Sequence, residues 1–316
     1  MTRDELLVVR RRLEAFAAEM FASMTRSDQR VKGETYLRGL LLDGRRKSMQ
    51  PMAQRLGVDH QGLQQFVTTS TWDTAAVRVR LARRAVELVG PAAWVVDDTG
   101  FPKDGVGSPG VARQYSGTLG KVGNCQVGVS VHAVTDVASC PLNWRLFLPE
   151  SWDVSKAGLS AVKAAKAKRR KTLKNASRAV VPAVQVGGSA DTEVDVEAVT
   201  AAARARRGRC GIPEGEGHRP KWMMVVEMLD ELAEHGLRPP VLAADAGYGD
   251  NSQFRSALDE RNIVYSVQVK GDALAHTVDA APVPRAWPGP ARAGAGAHRP
   301  VPPPSTPITR SAWPNT

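Results

Sequence analysis

Two short stretches place acids where a strand would run out. "WVVDDTGFPKDG", residues 94–105, ends an apolar run in Asp97 and Asp98 and then passes into Gly, Pro and Lys. "VLAADAGYGD", residues 241–250, ends a second apolar run in Asp245, ahead of Gly247 and Gly249. Successive side chains on a strand point to opposite faces. One of Asp97 and Asp98 is therefore expected to enter a cleft while the other caps the following turn at Thr99. Asp before Gly at a strand end is also a common turn former. Acids at the C-terminal ends of strands nevertheless sit where open α/β sheets bind ligands. Hard divalent cations seek such oxygens, and Mg²⁺ takes one or two carboxylates together with phosphate oxygens and water. A pair of such ions about 4 Å apart can activate a nucleophile and stabilise the leaving oxygen in phosphoryl transfer.

The elements that must position these acids follow from hydrophobic period. Residues 1–91 read as a helical, DNA-binding-like domain. "DELLVVRRRLEAFAAEMFASM" repeats apolar residues every three or four positions. Ala53, Gly57 and Leu63 have the spacing of a helix, a tight turn and a second helix, with Asp59 as its N-cap. That is the layout of a helix-turn-helix, and Gln64 and Gln65 on its second helix could read adenine edges; an ordinary helical hairpin has the same pattern. "TAAVRVRLARRAVELVG" is a further amphipathic helix.

From 92 to 152 the period becomes two and predicts three consecutive antiparallel strands. The Gly-rich link "GVARQYSGTLGK" lacks phosphate-loop spacing. Residues 153–210 include "KAAKAKRRKTLKNASR", a basic run without an acid, expected to be a flexible insertion and possible as a nucleic-acid arm. Residues 211–271 return to order: helix over "KWMMVVEMLDELAEHG", strand, helix, strand. Three antiparallel strands followed by helix, strand, helix, strand is the order of a ribonuclease-H-like α/β core.

Composition narrows the partners. A net charge of +11 over 316 residues suits a polyanion. Cys125, Cys140 and Cys210 are scattered and form no metal-binding or disulfide pattern, so a reducing cytoplasm is expected. No apolar run approaches the ~18 residues that span a bilayer, and "MTRDELLVVRRRLEAF" is not of signal-peptide type.

"DDTGFPKDGVGSPGVARQYSGTLGKVGNCQVGVSVH", "LFLPESWD" and "ADAGYGDNSQFRSAL" closely resemble transposases of insertion-sequence family 701, and "MQPMAQRLGVDHQGLQQFVTTSTWD" resembles their N-terminal region. The resemblance spans roughly residues 30–152 and 210–270. It implies a DDE transposase with a ribonuclease-H-like core, cleaving DNA at transposon ends with Mg²⁺ (or Mn²⁺) and joining the freed 3′-hydroxyl to target DNA. It implies Asp97 as the first catalytic acid, with Asp98 in reserve, and Asp245 as the second. Asp97 and Asp245 are then the metal ligands, and Lys103, Arg113 and Lys121 are candidates for phosphate contacts. DNA is the implied partner, with a possible homo-oligomer, no membrane, and a cytoplasmic, nucleoid-associated location.

The pattern breaks at the third acid. A DDE core takes a glutamate from a helix after its fifth strand, yet the last glutamate here is Glu260, which precedes that strand. At 1.5 Å per residue it should sit ~13 Å from the metal end. Residues 272–316 hold Asp272 and Asp279, and from Pro282 onward ten prolines and no acid; they read as a Pro-rich disordered tail. A frameshift or truncation that leaves the core incomplete at the C-terminus is expected, and with it a defective transposase. The alternative is a catalytically inactive DNA-binding derivative.

Overall fold

The computed structural model describes residues 2–176 and 194–272; the Pro-rich tail, and with it the suspected loss of a last strand and helix, lies outside the described residues from 273 onward. Five helices come first: α1 (Arg3–Met20), α2 (Ser27–Leu41), α3 (Met49–Leu56), α4 (His60–Thr68) and α5 (Thr74–Val89). Thr2 and Glu5 form a reciprocal cap at the start of α1. Phe21, Phe66 and Trp72 meet in edge and tilted contacts with ring centroids 4.7–5.7 Å apart, and the Trp72 indole N–H donates to the Phe66 carbonyl. Gly57 ends α3 in the left-handed region at φ +67°, and the Asp59 side chain caps α4 by accepting from the Gly62 amide. The helix, turn and helix read from Ala53, Gly57 and Leu63 are thus formed, and Met52, Ala53 and Leu63 are buried between them.

The sheet is mixed and open. Its strands are β1 (Ala93–Pro102), β2 (Ala112–Ser116), β3 (Lys121–Val134), β4 (Ser139–Leu146), β5 (Leu242–Ala244) and β6 (Tyr265–Val267). The order is β2-β3-β1-β5-β6, with β4 also on β3. The first four strands pair antiparallel, whereas β5 runs parallel to β1 and β6 parallel to β5. This is a ribonuclease-H-like sheet flanked by helices, preceded by a helical N-terminal region. One strand was not expected: β2 forms inside the Gly-rich link. Its five residues carry too little alternation to announce a strand, but β3 is long enough to hold two partners. Lys121–Cys125 pair with β2, and Gly128–Val134 pair with β4.

Helices α8 (Lys221–Glu234) and α10 (Ser252–Glu260) cover one face. Trp94 and Val96 from β1 and Val129, Val131 and Ala133 from β3 are buried there against Val225, Met228, Leu232, Phe254 and Leu258. Of residues 153–210, expected as a flexible insertion, 177–193 lie outside the described residues. Two helices, α6 (Ala157–Ala176) and α7 (Val196–Arg209), pack on each other. The charge of α7 finds carbonyls and a ring rather than acids. The buried Arg207 guanidinium donates to the carbonyls of Trp152, Pro213 and Glu216, and Arg206 stacks 4.0 Å from the Trp152 ring centroid.

Between β5 and α10 the chain makes a single turn, α9 (Ala246–Gly249), pressed against the end of β6. A Cβ at Gly249 would stand 1.9 Å from the Gln268 carbonyl oxygen, a backbone atom that cannot step aside. Gly249→Ala is expected to cost about 1–3 kcal/mol or more, read as a fall of several degrees in Tm. Gly105→Ala, where the added carbon meets nothing within 4 Å, should leave Tm unchanged.

Candidate active site

Three carboxylates gather where β1 and β5 lie side by side. The last paired residues are Val96 and Ala244; one step further come Asp97 and Asp245. Asp245 still has extended backbone, at φ −74° and ψ 177°, and neighbouring strands lie about 4.8 Å apart. Asp97 and Asp245 are therefore neighbours across the parallel pair, and both are exposed. Asp245 also acts as the turn former that its Gly neighbours suggest: its Oδ1 accepts from the Gly247 and Tyr248 amides at 2.9 and 3.3 Å. Both bonds fall on Oδ1, which leaves Oδ2 for another ligand.

Asp98 follows the opposite course. Strand β1 does not end at the acid pair but continues to Pro102, so Asp98 makes no turn cap at Thr99. Alternation sends it to the face of Trp94 and Val96, beneath the start of α8 and the turn of α9. There Lys221 forms an ion pair with Oδ2, and the Tyr248 hydroxyl donates to Oδ1 at 2.5 Å. A cavity of about 330 Å³ is bordered by Asp98, Lys221, Tyr248, His218 and Asp245.

Two pairings of acids are thus present: Asp98 with Asp245 around that cavity, and Asp97 with Asp245 across the strands. Lone-pair use and charge separate them. Each oxygen of Asp98 already has a donor, and the Lys221 ammonium sits where a cation would approach. Among the described residues the Asp97 side chain accepts from the Asp98 amide alone, at 2.7 Å. Its neighbours across β3 are Ser130, whose hydroxyl donates to the Asp97 carbonyl at 3.3 Å, and His132. Burial lowers the His132 pKa below the usual imidazole range, and the charge of Asp97 only partly offsets this. Asp97 and Asp245 are the carboxylates left open. As hard oxygen donors they suit Mg²⁺, which keeps water and phosphate oxygens in its shell. Among the described residues no group of three His, Cys, Asp or Glu side chains could hold a metal ion.

The remaining sequence candidates are spread more widely. Gln64 and Gln65 are exposed on α4. Lys103 follows the end of β1, and Arg113 and Lys121 lie in the β2–β3 ribbon; none of the three borders the acid cavity. Glu260 ends α10 and borders a depression with Asp230 and Trp222 that does not include Asp245. Lys221, Tyr248 and His218 went unnoticed in the sequence. Tyr248 stood inside "ADAGYGD" and Lys221 opens "KWMMVVEMLDELAEHG", yet neither was read as part of a site.

Burial, then the adjacent charge of Asp98, pushes the Tyr248 hydroxyl far above the usual phenol range. It stays a proton donor to Asp98 wherever the fold stands. A raised folded pKa means that this contribution to stability is complete below the unfolded value of about 10 and is lost as pH rises above it. The stability gap between wild type and Tyr248→Phe, measured by denaturant titration, is expected to be constant at neutral pH and to shrink above about pH 10.

The chain matches a family described as DDE superfamily endonuclease over residues 19–313. It is also 38% identical over 114 residues to a protein of Microchaete diplosiphon named as the probable transposase for insertion sequence element IS701. That alignment covers 35% of this chain and 30% of the relative, so the chain matches less than a third of the relative's length. No helix among the described residues is long and apolar enough to cross a membrane. A family match from residue 19 to residue 313, on a mixed sheet with acids within β1 and just after β5, leaves one conclusion: the chain belongs to the DDE superfamily endonuclease family.

Proposed function

We propose that this protein is an insertion-sequence transposase of the IS701 type, and that Asp97 and Asp245 are the acids that hold its divalent metal, Mg²⁺ or Mn²⁺. The observation that carries this reading is the pair of open carboxylates one step beyond the last paired residues of β1 and β5, in a DDE-family chain. When bound, the metal supplies charge neutralisation at the phosphodiester and a more acidic water. Asp97 and Asp245 fix where that charge sits. Asp98 is a positioning residue: held by Lys221 and Tyr248, it pins β1 to α8 and α9 and so keeps Asp97 beside Asp245. In the cleavage, water adds to phosphorus and the 3′ oxygen leaves with a proton from solvent. In the joining step that 3′-hydroxyl adds to a target phosphodiester and displaces its 3′ oxygen.

DNA is the partner on this reading. The N-terminal unit, residues 1–91, offers Gln64 and Gln65 on α4 as base-reading side chains. Lys103, Arg113 and Lys121 offer phosphate contacts along the ribbon beyond β1. The work is done in the cytoplasm, at the nucleoid. One observation favours a second reading, a catalytically inactive DNA-binding derivative: among the described residues no three His, Cys, Asp or Glu side chains converge so as to hold a metal ion.

The deciding assay is nicking of a duplex that carries the element's own ends, with Mg²⁺ or Mn²⁺, alongside calorimetric Mn²⁺ titration. Asp97→Asn and Asp245→Asn are each expected to lose about 10³-fold in cleavage, some 4 kcal/mol of transition-state stabilisation, and to weaken Mn²⁺ binding. Asp98→Asn should lower Tm and cost far less in Mn²⁺ affinity. Loss of cleavage and metal binding in Asp98→Asn, with both intact in Asp97→Asn, would reverse the assignment of the metal pair. Wild-type protein that binds the duplex and the metal but never cuts it would establish the inactive derivative.

A further inference from the structure

Helix α6 runs for 20 residues, about 30 Å at 1.5 Å per residue, and holds seven Lys or Arg and no acid. Charge of one sign at that density repels itself along a helix, so an isolated α6 would be poorly stable. Its first turns are anchored by packing instead. Ala157 and Gly158 are buried, and a Cβ on Gly158 would stand 2.4 Å from Val196 of α7. The helix thus has a small-residue face turned toward α7.

Lys163, Lys166 and Arg170 recur at three- and four-residue spacing on the opposite face, and all three are exposed. Lys163 stands 3.9 Å from Glu150, with 73% of its side chain exposed, an ion pair of small worth in water.

The root of the helix is tied to the rim of the acid cavity. Asp153, buried just before α6, accepts from the His218 amide at 2.8 Å, and the Lys156 ammonium donates to the His218 carbonyl at 2.9 Å. His218 and Lys221 both border the cavity with Asp98 and Asp245. The cationic face of α6 therefore starts at Lys163, two turns after Lys156, which is bonded to the cavity rim at His218.

We infer that the face of α6 formed by Lys163, Lys166 and Arg170 is a phosphate track, which holds the backbone of duplex DNA beside the point of cleavage. This rests on the proposed function for its partner, but it assigns that partner a surface separate from α4 and from the β2–β3 ribbon. Three cations on one helical face, set on a framework fixed through His218, match a row of backbone phosphates and carry no base selectivity. The track supplies affinity and orientation, independent of sequence, and leaves sequence choice to other elements.

The test uses the full chain and a fluorescent duplex of about 30 base pairs, about 100 Å of helix at 3.4 Å per pair, with anisotropy measured across a salt series. The triple variant Lys163→Gln, Lys166→Gln, Arg170→Gln should bind at least tenfold more weakly at low salt. Its salt slope should fall by about 2 to 3, close to one released counterion per lost contact. A control triple variant, Arg204→Gln, Arg209→Gln, Arg238→Gln, removes the same charge from exposed positions outside α6 and outside residues 1–91 and should change the slope by less than one. Circular dichroism establishes that both variants keep wild-type helix content.

An unchanged slope in the α6 variant, with wild type binding the duplex, overturns the track and leaves the proposed function standing. Wild type without salt-dependent duplex affinity overturns the proposed function itself. Equal losses in the control variant would reduce the effect to net charge and overturn the track. Equally tight wild-type binding to poly-glutamate, lost in the α6 variant, would assign the face to an acidic protein and overturn the DNA assignment.

Discussion

Two adjacent carboxylates on a central strand cannot both stand uncompensated against a sheet core, and the fold around them follows from how that charge is divided. Asp98 is compensated from both sides, by the Lys221 ammonium at the start of α8 and by the Tyr248 hydroxyl in α9. Those contacts bind β1 to α8 and to the turn that leaves β5. Asp97, one residue earlier, takes the opposite face and remains open beside Asp245. A single acid at this strand end would leave either the clamp or the open site unmade.

The clamp also explains why α9 is so tightly built. Tyr248 donates its hydroxyl to Asp98 and its amide to Asp245, so one residue registers both strand ends. The turn that presents it fits against β6 only because Gly249 carries no side chain. Burial of Tyr248 raises its hydroxyl pKa and keeps it a donor at neutral pH.

Basic charge is arranged by a different rule. Arg206 and Arg207 are drawn inward, onto an indole ring and backbone carbonyls. Lys163, Lys166 and Arg170 on the outer face of α6 are exposed to solvent. A guanidinium is more weakly hydrated than an ammonium and offers a fork of donors, which is why the inward positions on α7 are arginines. The fold thus separates structural cations from those that can meet a polyanion, inside one segment whose composition alone suggested a flexible insertion.

Much of this was readable without coordinates. Gly57 and Asp59 announce the turn and cap between α3 and α4, because left-handed backbone and an N-cap oxygen are local requirements that particular residues meet. The apolar period of α8, and the two runs ending in Asp97 and Asp245, likewise depend on neighbours close in the chain. The short β2 was not readable, because its pairing depends on the overhanging half of β3 rather than on its own alternation. The helical fold of α6 and α7 was hidden by charge, since packing at Gly158 and the carbonyl cage around Arg207 join residues far apart. Nor could the sequence choose between Asp97 and Asp98. Alternation states that they face opposite ways, but Lys221 and Tyr248, which settle which acid is already compensated, lie 123 and 150 residues further along the chain. Local stereochemistry determined the elements and the types of chemistry; only tertiary contact decided which oxygen atoms are free to perform it, because a lone pair is open or occupied according to what folds next to it.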